Sequence, residues 1–139
     1  MIILDTNVLS ALMGRVPDKA VIEWLDRQPR SSVWTTAVTV LEVEFGLQIL
    51  ASGRRKDSLL QAFRDVMADR ISGRIAPFDA AAARRAAELM SDHRKRGRPI
   101  ELRDTMIGGI VLACHATLAT RNTSHFEDLT VPVVDPWLR

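Results

Sequence analysis

Three carboxylates stand where they could act together. Asp5 follows the apolar run Ile2–Leu4, Glu42 lies in an apolar stretch after a second β-like run, and Asp104 opens the most apolar stretch. Sites in open parallel sheets lie beyond the carboxyl ends of the strands. Close carboxylates repel unless a cation neutralises them, and Mg²⁺ and Mn²⁺ prefer oxygen ligands. The pattern therefore predicts a site for Mg²⁺ (or Mn²⁺), a cation that can activate water for attack on a phosphodiester.

Each acid also has a simpler explanation. Asp5 could bond within a turn, Glu42 could be a solvated helix residue, and Asp104 could cap its helix. The neighbouring polar residues Asn7 and Thr120 could orient a ligand carboxylate or only stabilise turns. All three acids nevertheless fall where a parallel sheet places its site, which favours the shared site.

Composition limits the class of protein. The 139 residues are 47% hydrophobic and 26% charged, which excludes a disordered chain or a coiled coil. One cysteine rules out an intramolecular disulfide and a Cys-rich zinc module. The net charge of +2 does not by itself indicate nucleic acid. The sequence has neither a signal-peptide pattern nor a membrane-length apolar run, so the expected location is cytoplasmic. The chain is expected to form one domain over residues 1–139.

Strands and helices alternate along the sequence, which predicts an α/β fold with a mostly parallel sheet. Asp5–Asn7 is expected to be a loop. One helix is predicted from an N-cap at Thr39 to about Leu50, closed by Gly53. Its predicted buried face is Val38, Leu41, Phe45 and Ile49. The next helix is predicted to start at Ser58. Gly108 and Gly109, inside the most apolar helix, predict close packing on a neighbour.

Four blocks carry a family resemblance. The opening Ile2-Ile3-Leu4-Asp5-Thr6-Asn7 resembles that of PIN-domain ribonucleases, specifically the VapC/FitB-like toxins of bacterial toxin–antitoxin pairs. Residues 36–46 with Glu42, 97–107 with Asp104, and 118–126 are similar to the later blocks in order and spacing. The resemblance covers residues 2 to 137 and implies a PIN-like α/β/α sandwich around the sheet.

The resemblance also implies an activity and partners. It implies a metal-dependent endoribonuclease toxin acting on RNA, with Asp5, Glu42 and Asp104 as metal ligands. It further implies a homodimer neutralised by a small VapB-like antitoxin. Contact with DNA would come only through that antitoxin, and no membrane is involved.

One departure concerns the last block. Family members usually supply a fourth acid there, where this sequence has Asn122 and His125. Asn122 can offer a neutral carbonyl oxygen and is taken as a catalytic candidate, whereas His125 could bind Mn²⁺ or donate to a phosphate. The lost negative charge predicts at most one tightly bound cation without substrate.

Two rival functions remain open. The departure in the last block could leave a catalytically weakened PIN-like module that only binds RNA or a partner. A phosphohydrolase of the haloacid-dehalogenase type ranks last, because Asn7 stands where that family resemblance requires a second acid. The arginines near the acidic blocks, Arg98, Arg103 and Arg121, are candidates for phosphate contact.

Overall fold

The computed structural model describes residues 1–138. The strands and helices, in chain order, are β1 (Ile2–Leu4), α1 (Thr6–Met13), α2 (Lys19–Asp26), β2 (Val33–Thr36), α3 (Ala37–Gln48), α4 (Arg54–Val66), β3 (Ile75–Ala76), α5 (Ala80–Lys95), α6 (Leu102–Ala113), β4 (Thr117–Ala119) and β5 (Val133–Val134). A π-helical turn, Met67–Ile71, continues α4, and Thr123–Phe126 forms a 3₁₀ turn after β4. Within residues 1–138, no helix is both long and apolar enough to cross a membrane.

The five strands form one sheet with β1 at its centre. The order is β3-β2-β1-β4-β5, and every pairing in residues 1–138 is parallel. Leu4 pairs with Ala119, and the next backbone bond, from Asp5 N–H to the Ala119 carbonyl at 2.9 Å, continues this register. The predicted α/β fold with a parallel sheet is confirmed. The carboxyl ends of β1 and β4 therefore lie side by side.

Apolar side chains cover both faces of the sheet. One buried cluster packs α1, α2 and α4 against one face, with Leu4, Leu9 and Phe63 among its members. The second packs α5 and α6 against the other face, around Ile3 and Ile107. Ile3 and Leu4 are adjacent and belong to opposite clusters, as the two-residue period of a strand requires. The central strand is thus anchored from both sides.

Helices α5 and α6 pack closely at Gly109. A Cβ at this position would lie 2.4 Å from the Ala82 carbonyl oxygen and 2.9 Å from the Ala86 Cβ. Ala82 and Ala86 are themselves buried. The predicted close packing around Gly108 and Gly109 is confirmed, since a Cβ at Gly108 would meet Leu89 at 2.9 Å.

The segment after β1 is a helix, and the expected loop at Asp5–Asn7 is wrong. The Asp5 side chain accepts a hydrogen bond from Thr6 N–H at 2.8 Å and thereby caps α1. The apolar residues of α1 recur at helical spacing and are buried against the sheet: Val8, Leu9, Leu12 and Met13. Asp-Thr-Asn is therefore the start of a helix here, because a capped amphipathic segment follows it.

The boundaries around α3 and α4 also differ from expectation. Thr36, not Thr39, is the N-cap of α3, because its hydroxyl accepts the Thr39 N–H at 3.0 Å. Gly53 does not close α3, which ends at Gln48. It is instead the N-cap residue of α4, which begins at Arg54 and not at Ser58.

The predicted buried face of α3 is wrong except at Val38. Leu41, Phe45 and Ile49 are 61%, 60% and 67% exposed. The helix buries Thr39, Val43 and Leu47 instead. Apolar residues occur all around α3, so its contacts decide which side faces the core. The exposed side chains Leu41, Phe45 and Ile49 are called the α3 stripe below.

The Gly109 contact predicts a matched pair of stabilities. Gly109→Ala should lower the free energy of unfolding by ~1–3 kcal/mol or more, because its methyl would meet backbone that cannot move away. Gly46→Ala, in α3 with nothing within 4 Å of the new Cβ, should be neutral or stabilise by up to about 1 kcal/mol. Urea unfolding of both variants measures the difference. Equal stability of the two variants would contradict the close packing.

Candidate active site

Four separate elements bring the predicted site residues together. Asp5 directly follows β1, Glu42 lies on α3, Asp104 lies in the first turn of α6, and Asn122 follows β4. All four line one pocket, called the acidic pocket below. Its remaining lining residues are Thr6, Asn7, Ser10, Glu101, Arg103 and His125. The structure thus assembles the predicted set at one edge of the sheet.

Hydrogen bonds fix Asp5, which is only 5% exposed. One of its carboxylate oxygens accepts Thr6 N–H, and the other accepts the Thr120 hydroxyl at 2.8 Å. The Thr120 oxygen in turn accepts from the Asn7 side chain at 3.2 Å and from Asn122 N–H at 3.1 Å. Thr120 and Asn7 therefore act on the carboxylate itself, besides stabilising the turn.

The other two acids have charged or polar partners of their own. Glu42 pairs with Arg103 at 3.2 Å. Asp104 contacts the His125 ring through Nδ1 at 3.1 Å. Asp104 does not cap α6, because the helix begins at Leu102 and Glu101 is its N-cap residue. The simpler explanation of Asp104 as a helix cap is thereby ruled out.

Burial and mutual repulsion make the ionised acids unfavourable. Burial is the main cause that raises the pKa of Asp5, and the negative charge of Asp104 adds to it. Burial likewise raises the pKa of Glu42, although the positive charge of Arg103 acts in the opposite direction. Burial also raises the pKa of Asp104, although its interaction with His125 acts in the opposite direction. The three acids therefore influence one another across the pocket, which is the electrostatic condition that a bound cation relieves.

The residues that line the pocket fit a hard divalent cation by donor type. Carboxylates dominate the donor set, with an amide oxygen at Asn122. The Thr6 hydroxyl is buried in the same pocket and has no hydrogen-bond partner within residues 1–138. It lies near enough to favour the ionised form of Glu42, but the two groups do not meet in hydrogen-bond geometry. A water molecule held at a cation would satisfy this hydroxyl.

The ligand atoms are not gathered around one point. Among the described residues, no three His, Cys, Asp or Glu side chains approach closely enough to hold a metal ion. Arg103 and His125 hold Glu42 and Asp104 as partners instead. The backbone therefore positions the three acids at one pocket, where Glu42 and Asp104 have partners of their own.

Several lining residues were missed at the level of sequence. Thr6 and Ser10 are four residues apart and share one face of α1 at the pocket. Treating the segment after Asp5 as a loop concealed this spacing. Glu101, whose negative charge raises the pKa of Asp104, was also missed. It precedes α6 by one residue, so it was detectable only from the correct start of that helix.

Comparison with known proteins identifies the family. The PIN domain matches residues 2–131. The chain is 36% identical to the VapC ribonuclease Y4jK of Sinorhizobium fredii (strain NBRC 101917 / NGR234), over 99% of this chain and 98% of that protein. It is 34% identical to toxin FitB of Neisseria gonorrhoeae (strain ATCC 700825 / FA 1090), over 99% of both proteins. The crystal structure of FitAcB from Neisseria gonorrhoeae superposes with a TM-score of 0.89 at 33% identity, covering 100% of both chains.

The parallel sheet with acids at its carboxyl edge therefore defines a PIN domain, and the chain belongs to the PIN-domain family. Within that family, its similarity to VapC and FitB toxins confirms the resemblance inferred from the four sequence blocks.

The raised pKa of Asp5 predicts a pH dependence of stability. The folded chain binds this proton more tightly than the unfolded chain, so the resulting stabilisation is present at low pH. It is lost as the pH rises through the raised pKa. In EDTA, the free energy of unfolding of Asp5→Asn minus that of the wild type should therefore increase from about pH 4 to about pH 7.

Urea unfolding at both pH values measures this change. The substitution also alters the hydrogen bond to Thr120, and this contributes equally to the free energy of unfolding at both pH values. The contribution therefore cancels when the two pH values are compared. Asp65→Asn, on the exposed side of α4, removes the same charge away from the pocket. A change no larger for Asp5→Asn than for this control would contradict the electrostatic description.

Proposed function

We propose that this chain is a metal-dependent endoribonuclease toxin that cleaves RNA phosphodiesters. The observation that carries the proposal is the meeting of Asp5, Glu42 and Asp104 at one pocket, each with a raised pKa. Its similarity to the VapC ribonuclease Y4jK supports the reaction class. A nuclease needs grouped acids at an accessible edge, and this pocket supplies them.

Asp5, Glu42 and Asp104 would hold Mg²⁺ or Mn²⁺. When bound, the cation supplies Lewis acidity that polarises the phosphodiester and lowers the pKa of a coordinated water. Thr120 and Asn7 keep Asp5 in place through the hydrogen bonds described above. Arg103 offsets the negative charge of Glu42 while the pocket is free of a cation. Asn122 can accept a hydrogen bond through its amide oxygen at the rim.

One cation is proposed for the RNA-free protein. Asn122 is neutral, and His125 is engaged with Asp104. The fourth block therefore adds no negative charge with which a second cation could be held tightly. RNA phosphate oxygens would supply the ligands for any second ion.

The proposed partner is a small VapB-like antitoxin. Similar structures are described as FitAB bound to an IR36 DNA fragment and FitAcB from Neisseria gonorrhoeae, at 33% identity. For this chain we propose an equivalent complex, in which DNA is contacted through the antitoxin. A toxin acting on cellular RNA would work in the cytoplasm.

The α3 stripe supports a homodimer. Leu41, Phe45 and Ile49 are spaced by four residues and are all more than half exposed. A second copy offers the same apolar stripe, so a twofold contact would be self-complementary. Glu42 neighbours the stripe in sequence, and the proposed interface would therefore lie beside the acidic pocket.

The second candidate is a module that binds RNA or a partner without cleaving it. The observation in its favour is the neutral Asn122 in the last block, together with the occupied His125. This candidate requires no cation for its activity. The two candidates therefore differ in what EDTA does.

The nuclease predicts metal-dependent cleavage. Purified antitoxin-free protein should cleave a mixed structured RNA pool with Mn²⁺ or Mg²⁺ and lose this activity in EDTA. Asp5→Asn and Asp104→Asn should each lower the rate at least ~100-fold, since even outer-shell partners of metal ligands matter 10–100-fold. Gel analysis of the cleaved RNA measures the rates.

Asp65→Asn serves as the charge-matched control and should retain full activity. Cleavage that survives in both Asp5→Asn and Asp104→Asn would refute the ligand assignment. Binding of RNA by folded wild-type protein without any metal-dependent cleavage would favour the binding module.

The α3 stripe predicts the oligomeric state. The free protein should have twice the 15.5 kDa chain mass, and Phe45→Glu should reduce it to the single-chain mass. A buried charge without a partner opposes association strongly. Light scattering after size exclusion measures both masses. Val16→Glu, at an 87% exposed valine outside α3, is the control and should stay dimeric. A wild-type monomer would exclude the proposed interface.

A further inference from the structure

Arg121 differs from the other two arginines beside the acidic blocks. Arg103 pairs with Glu42 at 3.2 Å, and Arg98 pairs with Glu127 at 3.8 Å. Within residues 1–138, the Arg121 guanidinium has no carboxylate within ion-pair distance, and its N–H donors make no hydrogen bond. Among the described residues, no carboxylate therefore takes up its donors, and these donors can bind an anion.

An indole ring holds this guanidinium in position. The Arg121 Cζ lies 4.6 Å from the centroid of the Trp137 ring. The ring is itself anchored, because its Nε1–H donates to the Asp18 carboxylate at 3.0 Å. A cation–π contact orients a guanidinium without consuming its N–H donors. The edge of the guanidinium stays available for bidentate binding of a phosphate.

Asp18 is the charged group that faces this stack. Its carboxylate accepts the indole N–H and the backbone N–H groups of Ala20 and Val21. The Trp137 hydrogen bond, with Arg121 as a smaller cause, lowers the pKa of Asp18. Asp18 therefore serves to cap α2 and to anchor the ring, and it does not form a direct ion pair with Arg121.

The backbone of Arg121 belongs to the network around Asp5. Its N–H donates to the Asn7 side-chain oxygen at 3.0 Å, while the Asn7 amide donates to Thr120. Arg121 lies between Thr120, which bonds Asp5, and Asn122, which lines the acidic pocket. The same hydrogen bonds therefore fix the Arg121 backbone and the carboxylate at the pocket.

We propose that Arg121 is a substrate-binding residue, which holds an RNA phosphate flanking the one at the acidic pocket, and that Trp137 is its positioning residue. This inference rests on the proposed ribonuclease function. A pocket lined by carboxylates repels a polyanion, so a cation on the residue next to Asn122 in the chain would favour binding of the strand. Arg121 is the arginine near the acidic blocks that is not already neutralised by a described carboxylate.

RNA binding tests the inference apart from cleavage. A fluorescein-labelled single-stranded RNA is titrated with wild-type protein in EDTA, which prevents metal-dependent cleavage, and fluorescence anisotropy is followed at several salt concentrations. Arg121→Ala should weaken binding roughly tenfold, and the slope of log K against log salt should fall by about 1. Arg84→Ala removes the same charge from the exposed side of α5 and should change the affinity less than about twofold.

Further variants separate charge from orientation. Arg121→Lys should retain the salt slope but bind more weakly than the wild type, because an ammonium is a point charge without a planar fork. Trp137→Phe keeps a ring face and should bind better than Trp137→Leu. The double variant Arg121→Ala/Trp137→Leu should bind no more weakly than Arg121→Ala, since Trp137 acts through Arg121. Circular dichroism checks that each variant is folded.

Two kinds of failure can be told apart. If the wild type binds RNA and Arg121→Ala has the same affinity and salt slope, the role of Arg121 is refuted while the ribonuclease proposal stands. If the wild type neither binds nor cleaves RNA, both proposals fail. Loss of antitoxin binding in Arg121→Ala with unchanged RNA binding would instead assign this arginine to the protein partner.

Discussion

The burial of one carboxylate at the end of the central strand is the constraint on which the site depends. Asp5 is almost inaccessible, and its carboxylate accepts two hydrogen bonds, of which the one from Thr6 N–H caps α1. The strand that positions it is packed from both faces of the sheet. Since burial raises the pKa of Asp5, its ionised form is unfavourable in the folded chain, and a cation would stabilise that form. The fold thus supplies the position and the electrostatic need together.

Sequence patterns predicted the architecture and the meeting of the three acids, because strand ends in a parallel sheet share an edge. They failed where local signals allow two outcomes. Asp5–Asn7 suits either a turn or a capped helix, and only the later burial of Leu9 and Leu12 distinguishes them. On α3, apolar residues surround the helix, so periodicity could not select the buried side. Packing against the sheet selected Val43 and left Phe45 exposed.

Partners of charged side chains were beyond prediction for a related reason. Arg103 is one residue from Asp104 in sequence, yet it pairs with Glu42, sixty-one positions away. Arg121 is next to Asn122, yet its side chain lies on Trp137 near the end of the described chain. Such pairs depend on how loops return across the sheet edge, which neither spacing nor residue type determines. Roles for these arginines could be suspected from sequence but not distinguished.

The distribution of charge, more than the net charge, would allow an acidic site to receive the proposed polyanionic substrate. Three carboxylates at the pocket would repel RNA, and Arg103 offsets only part of that charge by pairing with Glu42. The neutral Asn122 adds no negative charge to that repulsion, and it would offer a proposed cation only an uncharged oxygen. The Arg121 guanidinium, held on the Trp137 ring, would add attraction for the proposed substrate without occupying the space of a metal ion. In the proposed ribonuclease, a neutral Asn122 would therefore leave a second cation to be received together with the RNA, because the phosphate would bring the missing oxygen ligands.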